Sequence, residues 1–508
     1  MALSATLYLP SLFWTLGLDQ NIFAEIGSLM LKGKKLYVDA WDVKPPNIFY
    51  IYALFEWIFG QHDFAVRISD YVFALFACAA IFAATERQSP LLAGHGREWV
   101  APLASILLVL TLLSLGLADT AQTESYSLCF LIGASLLAQP FQKKRNYALA
   151  LVAAGASIGV AAFFKTTNAV FLIAIAVEVW IYNAHPRWRS LLLLVTGFFA
   201  WSMLQIGMLA LQGSLNEYFR ITWSVFLHHP NEVSSLHFSD LLRTEWTYVD
   251  IWAIFAIVAI AFAIVRRDRL FLRATVSPLL LLGAGIAAVI IQNKGWGYQY
   301  VVILPGLVWL CALSAAYLYG IVHAYSRSLA VAGAIVIALA TLFITPSARR
   351  RIHYISDAIE SIHDHPGYLA SLGSPKSLYY PPCTGLLARY LDAHSVPQDR
   401  VFIFGEEPGA YWRANRLPAT RYVYSLLFTS GVISNNDILS MVDTLAWQKP
   451  AIIAIERFDS TAFRGKPETS ESLLQEDTLF DGIRNLLSNN YRMRDTLCGN
   501  FILYRLHQ

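Results

Sequence analysis

Four short polar stretches interrupt an otherwise apolar chain, and each carries residue types able to handle a proton or an anion. The first begins Leu18-Asp19-Gln20-Asn21-Ile22-Phe23-Ala24-Glu25. It continues Gly33-Lys34-Lys35-Leu36-Tyr37-Val38-Asp39-Ala40-Trp41-Asp42-Val43-Lys44-Pro45-Pro46. Asp19 directly follows an apolar run. Lys44 precedes a Pro-Pro step, which holds the backbone extended. A fixed carboxylate and a fixed ammonium at the mouth of a helix bundle suit a general base and an anion holder. The plainer reading is that both mark the lipid–water boundary.

The second stretch, Ala118-Asp119-Thr120-Ala121-Gln122-Thr123-Glu124, is so short that Asp119 must lie at or just below the membrane surface. Ionisable groups at that depth are functional candidates by default; the alternative is a helix N-cap. The third, Phe164-Lys165-Thr166-Thr167-Asn168, offers Lys165 as a phosphate holder or as a snorkelling lysine. The fourth runs from Gln292 through Lys294, Tyr298 and Tyr300. It presents a cation beside aromatic faces, which suits sugars and lipid phosphates, or else an aromatic belt. Arg67, after Phe64-Ala65-Val66, is a further candidate for the outer cavity. His228, His229, Glu232 and His237 fit no metal-ligand spacing, so no metal ligand is assigned; a divalent metal is conceivable but unsupported. The sequence contains no Walker A, G-x-G-x-x-G or H-E-x-x-H. An enzyme on the outer face has no ATP or nucleotide sugar at hand, so a lipid-carried activated donor fits the layout.

The elements that must position these residues are membrane helices. The chain has 508 residues, 56% hydrophobic and 14% charged, with mean hydropathy +0.48. Soluble domains carry roughly 25% charge. Charge is absent from repeated windows of about 17–22 residues, the length that crosses ~30 Å of hydrocarbon as a helix. About eleven spans are expected, near 4–18, 64–84, 99–117, 124–140, 147–163, 168–184, 190–211, 249–265, 274–291, 300–321 and 328–345. The apolar run 47–60 is too short to span and is expected to lie in the interface as a helix. Arg87, Arg97, Lys143, Lys144, Arg145, Arg187, Arg189, Arg266, Arg267, Arg269, Arg273 and Arg327 then fall on one side. By the positive-inside rule that side is cytoplasmic. All four polar stretches face the other side. Arg349, Arg350 and Arg351 also fall there, against the rule, but long domains translocate largely regardless of charge. The net charge of +3, clustered in short loops, reads as topology rather than as a nucleic-acid surface.

From about residue 375 the character changes. Strand-like runs Val401–Phe404, Ala451–Ile455 and Phe501–Leu506 alternate with helix-like stretches at 383–393 and 476–488. That is an α/β soluble domain. The division expected is 1–345 for the membrane region, with a first outer loop 19–63, and 346–508 for the outer domain. Of five cysteines, Cys383 and Cys498 both fall in the tail, where a disulfide can form if the tail faces an oxidising compartment.

The first loop is similar to that of a known family. An Asp soon after the first span, then G-x-x-L-Y-x-D-x-W-D-x-K-P-P, Phe59-Gly60 and Ala65-Val66-Arg67, resembles the GT-C membrane glycosyltransferases. The branch it most resembles is that of bacterial protein O-mannosyltransferases and of the aminoarabinose and galacturonic acid transferases of lipid A. The resemblance covers roughly residues 1–345. It implies an α-helical polytopic membrane protein of the bacterial inner membrane, with an extracytoplasmic α/β domain and its active site on the periplasmic side. It implies inverting transfer from a polyprenyl-phosphate sugar to a hydroxyl on a lipid, glycan or protein. Asp19 matches the family's proposed base, Lys44 and Lys165 its phosphate contacts, and Asp119 the acid of its second luminal turn. Where many members have Asp-Glu, this chain has Asp19-Gln20, leaving Glu25, Asp39 or Asp42 as the second acid. Two other readings share the layout: a transporter or flippase of lipid-linked sugars, and an O-antigen ligase-like or polymerase-like enzyme. Transporters usually place ionisable groups at mid-membrane and show repeated halves, neither of which is seen here.

Overall fold

The computed structural model describes residues 1–508 except 93–95, 140–146, 183–186, 229–250, 295, 375–378, 426–427, 429–431, 458–479 and 508. It forms two compact units, each assembled from three separate stretches of chain.

The helical unit comprises Met1–Leu12, Arg67–Gln205 and Ser235–Ala358. Each of the eleven expected spans contains a helix. By length and composition, four helices of the described residues can cross a bilayer: Asp63–Leu91, Arg97–Leu115, Arg187–Leu211 and Gly297–Tyr325. A fifth is added if Arg327–Phe343 and Pro346–His363, bent by 51°, count as one. The remaining apolar helices, such as Thr123–Ala138 and Val276–Gln292, have 10–17 residues. This measure therefore supports four or five spans where hydropathy gave eleven. The shortfall is in helix length. The first run, for example, breaks after Tyr8 into a tighter 3-10 turn that contains Pro10 and ends at Phe13, since proline cannot continue the helical hydrogen-bond ladder.

Burial separates inner from outer helices. The apolar window of Gly297–Tyr325 is 83% buried, whereas that of Arg187–Leu211 is 22% buried. The latter presents Leu192, Phe199 and Met203 outward, a surface that needs lipid. Close crossings depend on glycine. A Cβ added to Gly155 would sit 1.8 Å from the Leu194 carbonyl oxygen, and one on Gly197 would sit 1.9 Å from that of Val152. Small residues let helix backbones approach in this way where no hydrophobic force drives them together.

The second unit comprises Phe13–Val66, Ile206–Ser234 and Ile359–Gln508. The expected first loop holds two helices, Leu18–Leu31 and Asn47–Phe59. The first was hidden by its polar opening. Gly17 caps it, its N–H donating to Gln20 Oε1 at 2.5 Å, and Gln20, Asn21 and Glu25 are buried in it. Phe23 packs edge-on against Phe49 and Tyr52 of the second helix, at 5.8 and 5.7 Å. The other face of Asn47–Phe59 exposes Leu54, Trp57 and Ile58, an apolar surface of the kind that meets lipid or a partner.

The tail folds around a five-stranded sheet of order β2-β1-β3-β5-β4. The strands are β1 Arg400–Phe404, β2 Leu417–Pro418, β3 Ile452–Glu456, β4 Tyr491–Leu497 and β5 Phe501–Leu506. β1 runs parallel to β2 and β3, while β5 runs antiparallel to β3 and β4. β3 is buried at every residue, as a sheet covered on both faces requires. Cys383 and Cys498 are disulfide-bonded. Replacing Cys383 by Ser is expected to lower stability by about 2–4 kcal/mol. The measurement is the melting temperature of the purified protein: dithiothreitol should reproduce the drop in the wild type and have no further effect on the variant.

Candidate active site

In the second unit the strap from Lys35 to Pro46 folds tightly on itself. Tyr37 N–H donates to the Ala40 carbonyl at 2.7 Å, and Tyr37 takes a positive φ of 67°, a conformation that L side chains adopt only where surroundings hold it. Its hydroxyl donates to the Lys44 carbonyl at 2.8 Å, fixing the Lys-Pro-Pro step. Asp42 is buried. It accepts from the Lys44 backbone N–H at 2.7 Å and from the Tyr424 hydroxyl at 3.0 Å. Burial pushes the Asp42 carboxyl up to about 6, against the pull of these donors and of the Lys44 charge, and the Asp19 carboxylate is close enough to add to the rise. Asp19 stands in the first turn of helix Leu18–Leu31, half-buried. It makes no side-chain hydrogen bond or ion pair with the described residues.

The three alternatives for a second acid differ in their surroundings. Asp39 binds back to its own strap, accepting from the Lys35 N–H at 2.8 Å. Glu25 is fully buried and faces Glu56 instead. Asp42 is the one of the three whose carboxyl feels the Asp19 charge. Tyr424 was not foreseen: it lies 382 residues from Asp42 in sequence, and no local pattern marks it.

Glu56 accepts from Trp412 Nε1 at 3.2 Å, and burial pushes its carboxyl up from 4.5 to about 8. A carboxyl raised in the folded state contributes stability that is fully present below its unfolded value and lost as pH rises through the folded one. Wild-type melting temperature is therefore expected to fall between pH 4.5 and about 8. In Glu56→Gln it should fall less over the same range. Parallel curves would remove Glu56 from this account.

The helical unit gathers the other candidates. Lys165 Nζ pairs with Glu124 Oε1 at 2.9 Å, the glutamate side chain wholly buried and the lysine 14% exposed. The same ammonium lies 5.6 Å from the centre of the Tyr298 ring, within cation–π range. Lys165 is thus a held cation and not a snorkelling one. Asp119 reaches the same group: a Cβ on Gly297 would lie 2.5 Å from its carboxylate. The N-cap of the following helix is Gln122, so Asp119 is not a cap. Arg67 is fully buried and holds the Asp119 turn from behind, donating to Thr120 Oγ1 at 3.2 Å and the Leu117 carbonyl at 3.1 Å. Asp70 accepts from the Ala121 N–H at 2.9 Å. Arg67 and Asp70 therefore support the turn. Tyr300 is buried beside Tyr298, and Lys294 stands half-exposed at the start of the same turn. Glu124 and Asp70 were missed as site residues. Their positions beside a short outer turn and one helical turn after Arg67 were the available signs.

Among the described residues no three His, Cys, Asp or Glu side chains gather as a metal site. Of the histidine-rich loop, His229, Glu232 and His237 lie outside the described residues.

Residues 43–208 match the model of the dolichyl-phosphate-mannose-protein mannosyltransferase family. No curated protein matches the sequence. The chain is similar in structure to ArnT from Cupriavidus metallidurans bound to undecaprenyl phosphate, with TM-score 0.64 and 12% identity over 99% of this chain and 96% of that one. It is also similar to the oligosaccharyltransferase of Archaeoglobus fulgidus tethered to an acceptor peptide, with TM-score 0.58 and 14% identity over 100% of this chain and 73% of that one. The complex of the latter protein, AglB, with an inhibitory peptide and a dolichol-phosphate gives TM-score 0.55 at 13% identity, over 90% of this chain and 68% of that one. The fold is that of the GT-C membrane glycosyltransferases, a multi-pass membrane architecture, and the resemblance read from the first loop stands.

Proposed function

We propose that this chain is a GT-C membrane glycosyltransferase that moves a sugar from a polyprenyl-phosphate donor to an acceptor hydroxyl, with inversion, on the extracytoplasmic face. The observation that carries this reading is the nearness of the Asp19 charge to the strap that holds Asp42 and Lys44, within a fold matched along its length by ArnT bound to undecaprenyl phosphate. Asp19 takes the acceptor proton. The acceptor oxygen bonds to the anomeric carbon as the bond from that carbon to the phosphate oxygen breaks, and polyprenyl phosphate departs. One displacement inverts the centre. Lys44, held by the Tyr37 hydroxyl on its carbonyl and by Asp42 on its N–H, steadies the negative charge that develops on the leaving phosphate. In the helical unit Lys165 is assigned, separately, to a lipid phosphate, with Glu124 and Tyr298 fixing its place. The disulfide of the tail suits an oxidising compartment.

The test is transfer of radiolabelled sugar from a panel of polyprenyl-phosphate donors in membranes carrying wild type or Lys44→Ala. Transfer by the wild type, lost in the variant at equal expression, is the expected result. A wild type that consumes no donor but moves lipid-linked sugar across vesicles would replace the enzyme with a flippase.

A further inference from the structure

A cavity of about 520 Å³ opens in the second unit, walled by the strap, the helix Leu215–His228 and the tail. Its size lies within the roughly 300–1,000 Å³ typical of small-molecule sites. Its wall carries seven charged side chains, four of which are matched in one ring, while Lys34, Asp39 and Arg400 stand outside it. Arg220 pairs with Glu217 at 2.8 Å and Asp437 at 2.6 Å, and Arg421 pairs with the same two acids at 3.2 and 3.0 Å. The four side chains close a ring in which each guanidinium holds two carboxylates. A phosphate or another strong anion entering this ring must displace a carboxylate from its partner. A neutral polyol need not, because each hydroxyl both donates and accepts and can bridge an N–H to a carboxylate oxygen. The facing wall offers more of the same chemistry. Ser440, Thr444 and Gln448 recur every fourth residue along helix Asn435–Gln448, so one polar stripe faces the cavity. Its opposite stripe, Ile438, Val442 and Leu445, is core.

The cavity is also tied to Asp42 by two short lengths of chain. Asp39, which lines it, stands three residues before Asp42. Tyr422, which also lines it, stands two residues before Tyr424, the donor to Asp42. The strap and the tail are joined there by the Trp41 N–H on the Arg421 carbonyl at 2.9 Å. Three residues reach at most about 10 Å, the scale of one or two sugar rings.

We propose that this cavity binds an uncharged saccharide, and that the acceptor is accordingly a glycan. The binding claim stands on the cavity alone; its identity as acceptor site rests on the transferase reading.

The experiment is saturation-transfer NMR on the purified full-length protein in detergent, with the β-1,4-linked N-acetylglucosamine disaccharide, maltose, inorganic phosphate and a serine-containing peptide as probes. At least one disaccharide should bind the wild type, with phosphate and peptide silent. Thr444→Leu/Gln448→Leu, which changes only partly exposed tail positions, should weaken that binding by about tenfold, the loss of two ordinary hydrogen bonds. Asp437→Asn, which opens the ring, should weaken it as well. Phosphate or peptide binding in place of sugar, unchanged binding in both variants, or no sugar bound overturns the proposal. Donor transfer measured in parallel separates the two claims: transfer without saccharide binding leaves the enzyme and removes the glycan site, and binding without transfer does the reverse.

Discussion

Asp19→Asn should lower the rate of sugar transfer by about 10²–10⁴-fold, the usual contribution of a positioned general base. The amide keeps the size of the side chain and removes its ability to take a proton. Of the two acids brought together, Asp19 is the one free to act. Asp42 spends its oxygens on the Lys44 N–H and the Tyr424 hydroxyl, and sits buried. Asp42→Asn should therefore act by loosening the strap: it disturbs the placement of Lys44 and raises KM for the donor more than it lowers kcat. Single-turnover transfer with both variants, alongside donor binding, distinguishes the roles. If Asp42→Asn loses kcat and Asp19→Asn does not, the assignments are reversed.

Glu124→Ala is expected to destabilise the helical unit by about 3–5 kcal/mol, because removing one partner of a buried ion pair strands the other's charge. Lys165 has little room to escape, with 14% of its side chain exposed. Replacing both residues by apolar ones of similar volume, as in Glu124→Leu/Lys165→Met, should restore most of that stability. It should not restore transfer, since the cation is gone. Thermal melting of the four proteins in the mutant cycle measures the first claim, and donor turnover the second. A double variant as unstable as Glu124→Ala would mean that the loss does not come from a stranded Lys165 charge.

Much of the architecture was legible in the sequence because bilayer helices and buried strands both write themselves as apolar runs. The strands at Val401, Ile452 and Phe501 and the helix beginning at Pro381 fall close to where composition placed them. β4 escaped notice because it is an edge strand whose Arg492, Met493 and Arg494 are exposed, so it has no inward alternation to read. Helix Leu18–Leu31 escaped for the opposite reason. Its polar residues are buried, and tertiary packing against Asn47–Phe59 overrides the loop-like composition. The outer turns announced their own chemistry, but not their partners. That Lys165 belongs with Glu124, and Asp42 with Tyr424, depends on contacts between residues 41 and 382 positions apart.

The bond between Cys383 and Cys498 bears on how this protein is made. The two residues are separated by 115 positions, so at ~5–20 residues per second the first thiol waits roughly 6–23 s for its partner to be synthesised. During that interval it has no rival. The other three cysteines, Cys78, Cys129 and Cys311, sit within apolar helices of the helical unit, and the tail contains no third thiol. Only one pairing is open to the tail, so its maturation calls for an oxidant and not for an isomerase.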